Sequence, residues 1–134
     1  MSDLSVAMQH YLETIFALSK KTEGVRVSDI AALLDVSKAS VNNAMNVLAK
    51  LGYVSNEKYQ EIFLTPLGKE TAALLESKHT VLKTLFMQVL GMPEKLADDD
   101  ACAIEHIISQ EAVQHIRTYL REKGVHMEMA NHSP

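Results

Sequence analysis

The only cysteine of the chain, Cys102, is followed three and four residues later by Glu105 and His106. On an α-helix, residues at positions i, i+3 and i+4 share one face, so a thiolate, a carboxylate and an imidazole would converge there. These are donor types that bind a borderline transition metal. Three aspartates at residues 98–100 favour a helix N-terminus at this point, because the helix dipole stabilises negative charge there. The pattern indicates a metal site; the alternative is a charged helix start whose cysteine is a small core residue.

Three donors do not complete a metal site, so other segments must contribute ligands. His10 and Glu13 lie three residues apart within residues 5–20, where apolar residues recur at helical spacing. His79 lies midway along a second helical stretch, residues 66–90. Solvated polar side chains beside an apolar stripe are the alternative for His10 and Glu13. The predicted metal ligands are His10, Glu13, His79, Cys102, Glu105 and His106.

Two short helices joined by a tight turn are predicted at residues 28–34 and 38–51. Ser37 can cap the second helix, and the arrangement is typical of a helix-turn-helix unit. The exposed start of the second helix is small and polar, as a reader of the DNA major groove requires, although a plain polar helix start is the alternative. The predicted base contacts are Ser37, Ala39, Ser40, Asn42 and Asn43, and the predicted phosphate contacts are Lys38, Lys50 and Lys58.

The elements after this unit complete a mainly α fold. Residues 53–54 and 62–64 are predicted to form two short strands around a polar turn, which is a β-wing. Thr65 and Pro66 open a long helix that ends near Gly91, and Ser109 caps a last helix. We therefore expect an N-terminal winged helix-turn-helix domain at residues 1–72. An all-helical domain for dimerisation and metal binding should follow at residues 73–134, with residues 125–134 as a frayed tail.

Composition limits the functional classes. The 134 residues are 47% hydrophobic and 22% charged, which is typical of a globular protein. One cysteine cannot form an internal disulfide, and the N-terminus has no signal-peptide pattern, so a cytoplasmic protein without a membrane span is expected. The net charge of −4 divides into −1 for residues 1–75 and −3 for residues 76–134. A local basic strip on the nearly neutral half can still bind DNA.

The order and spacing of these motifs resemble the diphtheria-toxin-repressor-like family of iron- and manganese-dependent repressors, in its short two-domain form. The resemblance covers nearly the whole chain. The matching segments are residues 10–15 on the first helix, residues 27–31, residues 64–68 after the wing, His79, and residues 101–106.

The resemblance implies a homodimeric repressor. Such a repressor binds a palindromic operator when it is loaded with divalent metal, releases the operator without metal, and controls metal-uptake genes. The ligand positions of the family match the six metal ligands predicted above. Dimer contacts are expected from residues 81–89 and 113–120, which carry more apolar surface than one small domain needs.

The donor set departs from both branches of the family. Iron-type members resemble this chain at Cys102, but they tend to have Met in place of His10 and no acid in place of Glu13. Manganese-type members have acids in place of His10 and Cys102. The chain is therefore a hybrid of the two types.

An accessory site of the iron-type members also differs here. It uses an acid where this chain has Lys83 and an imidazole where it has Asp98, so the usual accessory site is not expected. Glu13 and His79 could instead hold a second metal, which gives one or two ions per subunit.

A thiolate with several imidazoles favours Fe(II), Co(II) or Zn(II) over Mn(II). The family implies Fe²⁺ or Mn²⁺, with Zn²⁺ and Co²⁺ possible in vitro. Two other functions remain open: a metal-independent winged-helix regulator whose donor residues are structural, and a metalloenzyme. The sequence has no separate nucleophile or base motif, so it favours a non-enzyme without a small-molecule substrate.

Overall fold

The computed structural model describes residues 4–56 and 61–127. The chain divides into two compact units, Met1–Ala73 and Leu74–Pro134, which we call the first and second units. Both units are mainly helical, and the only sheet among the described residues belongs to the first.

Three helices form the body of the first unit: α1 (Val6–Ser19), α2 (Val27–Leu34) and α3 (Lys38–Lys50). Ser5 caps α1 by accepting a hydrogen bond from the Met8 amide at 3.2 Å. Asp35 ends α2 in the left-handed conformation, with φ of 57°, and this allows the tight turn into α3. The helices bury one apolar core, which includes Leu12, Ile15, Ile30, Val41, Met45 and Leu48.

A three-stranded antiparallel sheet completes the first unit. Strands β1 (Val25–Arg26), β2 (Val54–Asn56) and β3 (Glu61–Leu64) are arranged in the order β1-β3-β2. The wing predicted from β2 and β3 is confirmed, with Val54 opposite Leu64. Strand β1 was not predicted, because two residues give no measurable alternation and their partners in β3 lie far along the chain.

The start of helix α4 (Pro66–Thr84) is fixed against β2. Thr65 Oγ1 accepts from the Gly68 amide at 3.1 Å, as expected of an N-cap, and donates to the Gly52 carbonyl at 2.6 Å. A Cβ atom at Gly68 would collide with the Tyr53 carbonyl oxygen. Glycine therefore permits the close approach of helix and strand.

The second unit contains the rest of α4, a π-helical turn (Leu85–Val89), α5 (Glu94–Ile104) and α6 (Gln110–Glu122). Ser109 caps α6 as predicted, accepting from the Ala112 amide at 3.0 Å. Lys78 Nζ donates to the Ile108 carbonyl at 3.0 Å, and this bond fixes the turn between α5 and α6 against α4. Val81, Val113 and Leu120 are the buried centre of the small core.

The start of α5 corrects one expectation. The helix begins at Glu94, directly after Pro93, so the aspartates at residues 98–100 lie in its middle and not at its N-terminus. Pro93 has extended backbone and sets the start of the helix. The prediction from charge alone placed the start too late.

The apolar segments predicted to form a dimer, residues 81–89 and 113–120, contain both core and surface residues. Val81, Val113 and Leu120 are at most 2% exposed because they fill the core of their own chain. Val89 and Tyr119, in the same segments, are 37% and 42% exposed, so the dimer contacts stay a prediction. Other exposed apolar side chains of this unit include Leu90, Leu96 and Ile107.

The first residues of the predicted frayed tail contact the second unit. Val125 donates to the Leu120 carbonyl at 2.9 Å and packs, with Met127, against the core of the second unit. The prediction for residues 128–134 lies outside the described residues.

Candidate metal centre and DNA-binding helix

Helix α3 has two distinct faces. Val41, Ala44, Met45 and Leu48 are buried, while the predicted base-contact residues all lie on its exposed side or at its start. An exposed polar helix face backed by an apolar core can enter a DNA major groove. The predicted phosphate contacts Lys38 and Lys50 are exposed at the two ends of α3, whereas Lys58 lies outside the described residues.

Two of the predicted base contacts also stabilise the helix. Ser37 Oγ accepts from the Ser40 amide at 3.0 Å and donates to Ser40 Oγ at the same distance. Ser37 is therefore the N-cap of α3, as the sequence predicted. Ala39, Asn42 and Asn43 are exposed on the first two turns, where a recognition helix contacts base edges.

His10 and Glu13 form a local pair on α1 in the first unit. Their spacing places them one turn apart, and His10 Nδ1 lies 4.0 Å from Glu13 Oε1. The two side chains are 44% and 26% exposed. This distance brings an imidazole and a carboxylate near each other without a tight hydrogen bond.

Glu105 is the centre of a buried cluster in the second unit, which we call the carboxylate cluster: Glu105, His79 and His106. His79 Nδ1 on α4 lies 2.7 Å from Glu105 Oε1, and His106 Nε2 lies 3.6 Å from Glu105 Oε2. The side chains of Glu105 and His106 are each 1% exposed. Burying a carboxylate is costly unless cationic or hydrogen-bonding groups surround it, and here His79 forms a hydrogen bond with Glu105 Oε1.

The backbone after α5 places Glu105 and His106. Glu105 follows the last residue of α5, and its amide donates to the Ala101 carbonyl at 2.9 Å, which continues the helical pattern by one residue. Cys102, a partly buried cysteine that forms no disulfide, lies one turn earlier on α5. The i, i+3 spacing used in the sequence argument is thus realised between Cys102 and Glu105.

A chain of charged groups continues outward from His79. His79 Nε2 lies 2.9 Å from Asp98 Oδ1 on α5. The same oxygen lies 3.4 Å from Lys83 Nζ, which is also 3.3 Å from Glu94 Oε2. Both ring nitrogens of His79 therefore face carboxylates, and Asp98 lies between an imidazole and an ammonium group.

These contacts shift three protonation equilibria. The hydrogen bond to Glu105 raises the pKa of His79 above its ordinary 6.5; burial opposes this rise and Asp98 adds to it. Burial raises the pKa of Asp98, but the interactions with His79 and Lys83 lower it by a larger amount, so the net shift is downward. Burial lowers the pKa of Lys83, and Glu94 and Asp98 reverse that effect, so its pKa is raised. A metal that binds His79 must therefore compete with a proton that two carboxylates stabilise.

The chemistry of the donors fits a divalent transition metal. A buried carboxylate next to two imidazoles offers the oxygen and nitrogen donors such an ion takes, and Cys102 can add a thiolate. Within either unit taken alone, the described residues do not bring three such donor atoms within 4.8 Å of one another. The carboxylate cluster is thus a set of contacting pairs around Glu105.

From the sequence, Lys83 and Asp98 differ from a family pattern, but their contacts with each other, with His79 and with Glu94 were not predicted. A signal was present in the spacing. His79 and Lys83 lie four residues apart on one helix, and Glu94 and Asp98 lie four apart on the next. Two complementary i, i+4 pairs on consecutive helices indicate facing charged stripes.

Comparison with known proteins shows the same two-part organisation. Residues 3–62 match the family description "Iron dependent repressor, N-terminal DNA binding domain". Residues 65–127 match "Iron dependent repressor, metal binding and dimerisation domain". Together these matches cover most of the chain.

Individual relatives agree with the family match. The chain is 32% identical over 120 residues to an HTH-type transcriptional regulator of Methanocaldococcus jannaschii, covering 89% of this chain and 96% of that protein. It is 36% identical over 110 residues to the HTH-type transcriptional regulator MntR of Bacillus pumilus, covering 82% and 76% of the two chains.

Among solved structures, the T. acidophilum IdeR structure superposes with a TM-score of 0.72 at 26% identity. The match covers 93% of this chain but only 56% of that one. None of the described helices of this chain is long and apolar enough to cross a membrane. The chain belongs to the iron-dependent repressor family, whose members are transcriptional regulators and not enzymes.

Proposed function

We propose that this protein is a metal-dependent repressor that binds a palindromic operator when loaded with Fe²⁺ or Mn²⁺ and thereby controls metal-uptake genes. The observation that carries the proposal is the buried Glu105 carboxylate in contact with two imidazoles, in a chain that also has an exposed polar recognition helix. In this proposal residues 1–72 bind DNA, and residues 73–134 bind metal and form the dimer.

The proposed ligands come from both units. The second contributes the carboxylate cluster and Cys102, whose contacts are described above, while the first contributes the pair on α1. A thiolate and imidazoles suit Fe²⁺, and carboxylates also suit Mn²⁺. The proposed ligand set is His10, Glu13, His79, Cys102, Glu105 and His106.

The bound ion would supply positive charge and fixed coordination directions. Glu105 and Cys102 would contribute negative charge, and His79 and His106 would contribute neutral ring nitrogens. Glu13 and Glu105 are both negative and repel each other wherever the ligands gather without a cation. Neutralising this repulsion favours the conformation competent to bind DNA, which is a population shift between two states.

DNA contact is proposed for the exposed face of α3. The proposed phosphate contacts are Lys38, Lys50 and Lys58. The proposed contacts with base edges are Ser37, Ala39, Ser40, Asn42 and Asn43. Phosphate contacts fix the position of the helix without reading sequence, so only the base contacts are expected to discriminate operators.

A homodimer is proposed because a palindrome presents two equivalent half-sites. Leu90, Leu96 and Ile107 are 60%, 48% and 78% exposed, which is unusual for large apolar side chains near one another in sequence. These side chains are the proposed contacts between subunits. Sedimentation at micromolar concentration with metal present should give a dimer, and a monomer would contradict this part of the proposal.

One observation favours a second candidate, a metal-independent regulator. Carboxylates already face both ring nitrogens of His79, so the donor residues could stabilise the fold without a metal. An operator that is bound equally well with chelator and with metal would support this candidate.

The deciding experiment starts with duplexes selected from a random pool in the presence of Fe²⁺ or Mn²⁺ under anaerobic conditions. Fluorescence anisotropy then measures binding with each metal and with a chelator. The proposal expects tight binding with metal and release with chelator. Metal analysis of anaerobically purified protein identifies the ion that the cell supplies.

A further inference from the structure

Lys83, in the second unit, lies among side chains that could bind a metal ion. Lys83 Nζ lies 3.3 Å from Glu94 Oε2 and 3.4 Å from Asp98 Oδ1. The same Asp98 oxygen is 2.9 Å from His79 Nε2. Two carboxylates and an imidazole are suitable ligands for a divalent ion, but here an ammonium group supplies the positive charge.

We propose that Lys83 determines the metal stoichiometry of this protein: its ammonium group pairs with Glu94 and Asp98 and so prevents a second divalent ion from binding at His79 Nε2. The proposal rests on the proposed metal centre for the role of His79, and it goes beyond it by assigning Lys83. Without Lys83, the three remaining groups carry an excess of negative charge and can attract a cation.

Lys83 has a second effect in this proposal, as a positioning residue. By pairing with Asp98, it holds the oxygen that accepts from His79 Nε2. Metal-binding histidines commonly donate their other ring N–H to a carboxylate, which fixes both the tautomer and the ring orientation. With Nε2 held in this way, His79 presents Nδ1 towards Glu105.

The chain contains a matched lysine that lacks these neighbours. Lys95 Nζ pairs with Asp99 Oδ2 at 3.1 Å on the same helix as Asp98, with side chains 89% and 60% exposed. This pair is a simple i, i+4 surface pair. Changing Lys95 alters the net charge of the protein as much as changing Lys83, but it leaves His79 untouched.

The experiment counts Mn²⁺ bound per subunit by anaerobic equilibrium dialysis of the full-length chain followed by atomic emission spectroscopy. Lys83→Glu is expected to bind one more Mn²⁺ per subunit than the wild type. Lys83→Gln should bind the same extra ion more weakly, because an amide oxygen is a poorer ligand than a carboxylate. Lys83→Arg and Lys95→Glu should keep the wild-type count.

A double variant tests whether the extra ion uses this cluster. Adding Asp98→Asn to Lys83→Glu should remove the extra ion, because the oxygen shared with His79 then belongs to a neutral amide. Circular dichroism confirms that each variant is folded, and if Lys83→Glu does not fold, Lys83→Gln provides the count.

The proposal is overturned if folded Lys83→Glu and Lys83→Gln bind no extra Mn²⁺, or if Lys95→Glu or Lys83→Arg gains one as well. It is also overturned if the extra ion survives Asp98→Asn. These outcomes differ from a failure of the proposed function. A wild-type protein that binds no metal removes the metal-dependent repressor, whereas an ion gained by Lys83→Glu would still establish the role of Lys83.

Discussion

Each unit contains an imidazole beside a carboxylate, but the two pairs are built differently. His10 and Glu13 are neighbours on one helix, partly exposed, and 4.0 Å apart. His79 and Glu105 are separated by 26 residues in sequence, lie 2.7 Å apart, and include a side chain that is 1% exposed. A local pair follows from helix geometry alone, while the distant pair depends on the packing of the whole unit.

The difference in burial predicts which pair is held in a fixed arrangement before metal binds. An exposed pair remains hydrated and costs little to rearrange. The buried Glu105 carboxylate needs a stabilising partner in every state, and its hydrogen bond with His79, which raises the pKa of that imidazole, provides one. The second unit should therefore dominate the affinity for metal, and the α1 pair should adjust it.

The largest expected effect comes from replacing Glu105 or Glu13 with glutamine in separate variants. Glu105→Gln removes the charge that both imidazoles contact, so metal affinity should fall by about 100-fold or more, since even outer partners of a metal site are worth 10–100-fold. Glu13→Gln should reduce affinity by only about 10-fold. Isothermal titration with Mn²⁺ measures both, and equal losses would show that burial does not distinguish the pairs.

The control for both variants is His115→Ala on α6. His115 is exposed and belongs to neither pair, so its removal should leave metal affinity and metal-dependent DNA binding unchanged. Circular dichroism of Glu105→Gln should show the wild-type helix content. A variant that repressed in a metal-dependent way without the Glu105 carboxylate would contradict the proposed centre.

The contrast between contacts within one helix and contacts between helices also explains how much of each unit could be predicted from the sequence. The split of α3 into an exposed polar face and a buried face is a local periodic property, so the helix, its Ser37 cap and its candidate DNA contacts were predictable. The spacing of His10 and Glu13 was equally informative. The contacts of His79 with Glu105 and Asp98 depend on how α4 packs against α5, and no single-helix pattern encodes that packing.

The second expected effect concerns the exposed face of the first unit. Asn43→Ala should weaken operator binding by about 1–3 kcal/mol and relax discrimination at one base pair. Its side chain is exposed, so the free energy of unfolding should change little. Anisotropy with matched and mismatched duplexes measures the effect on binding.

Asn46→Ala is the matched control, because Asn46 is exposed on the same helix but one turn beyond the proposed contacts. If Asn43→Ala and Asn46→Ala weaken operator binding equally, α3 does not contact the bases in the proposed way. If neither change alters affinity, the base-contact assignment is wrong.

The third effect is the coupling between metal binding and operator binding. If metal increases operator affinity by a factor within about 5–150-fold, operator DNA must increase metal affinity by the same factor. Titrating Mn²⁺ into protein with and without a saturating duplex gives the second factor independently. In Glu105→Gln both factors should approach one, and operator binding that leaves metal affinity unchanged would exclude coupling.

The smallest expected effect is the pH dependence of the metal-free fold. The pKa of His79 is raised in the folded chain, chiefly by Glu105, and an unfolded histidine titrates near 6.5. The folded state therefore binds this proton more tightly than the unfolded state does. The resulting stabilisation is fully present below about pH 6.5 and is lost as the pH rises through the raised pKa of His79.

Urea unfolding of the chelator-treated protein across this pH range measures the loss, and His79→Gln should remove it because glutamine does not titrate. The buried pair would thus show a proton acting where the metal is proposed to act. A His79→Gln protein with the same pH profile as the wild type would mean that the buried carboxylate is stabilised by other groups, and the contrast between the two pairs would then lose its electrostatic basis.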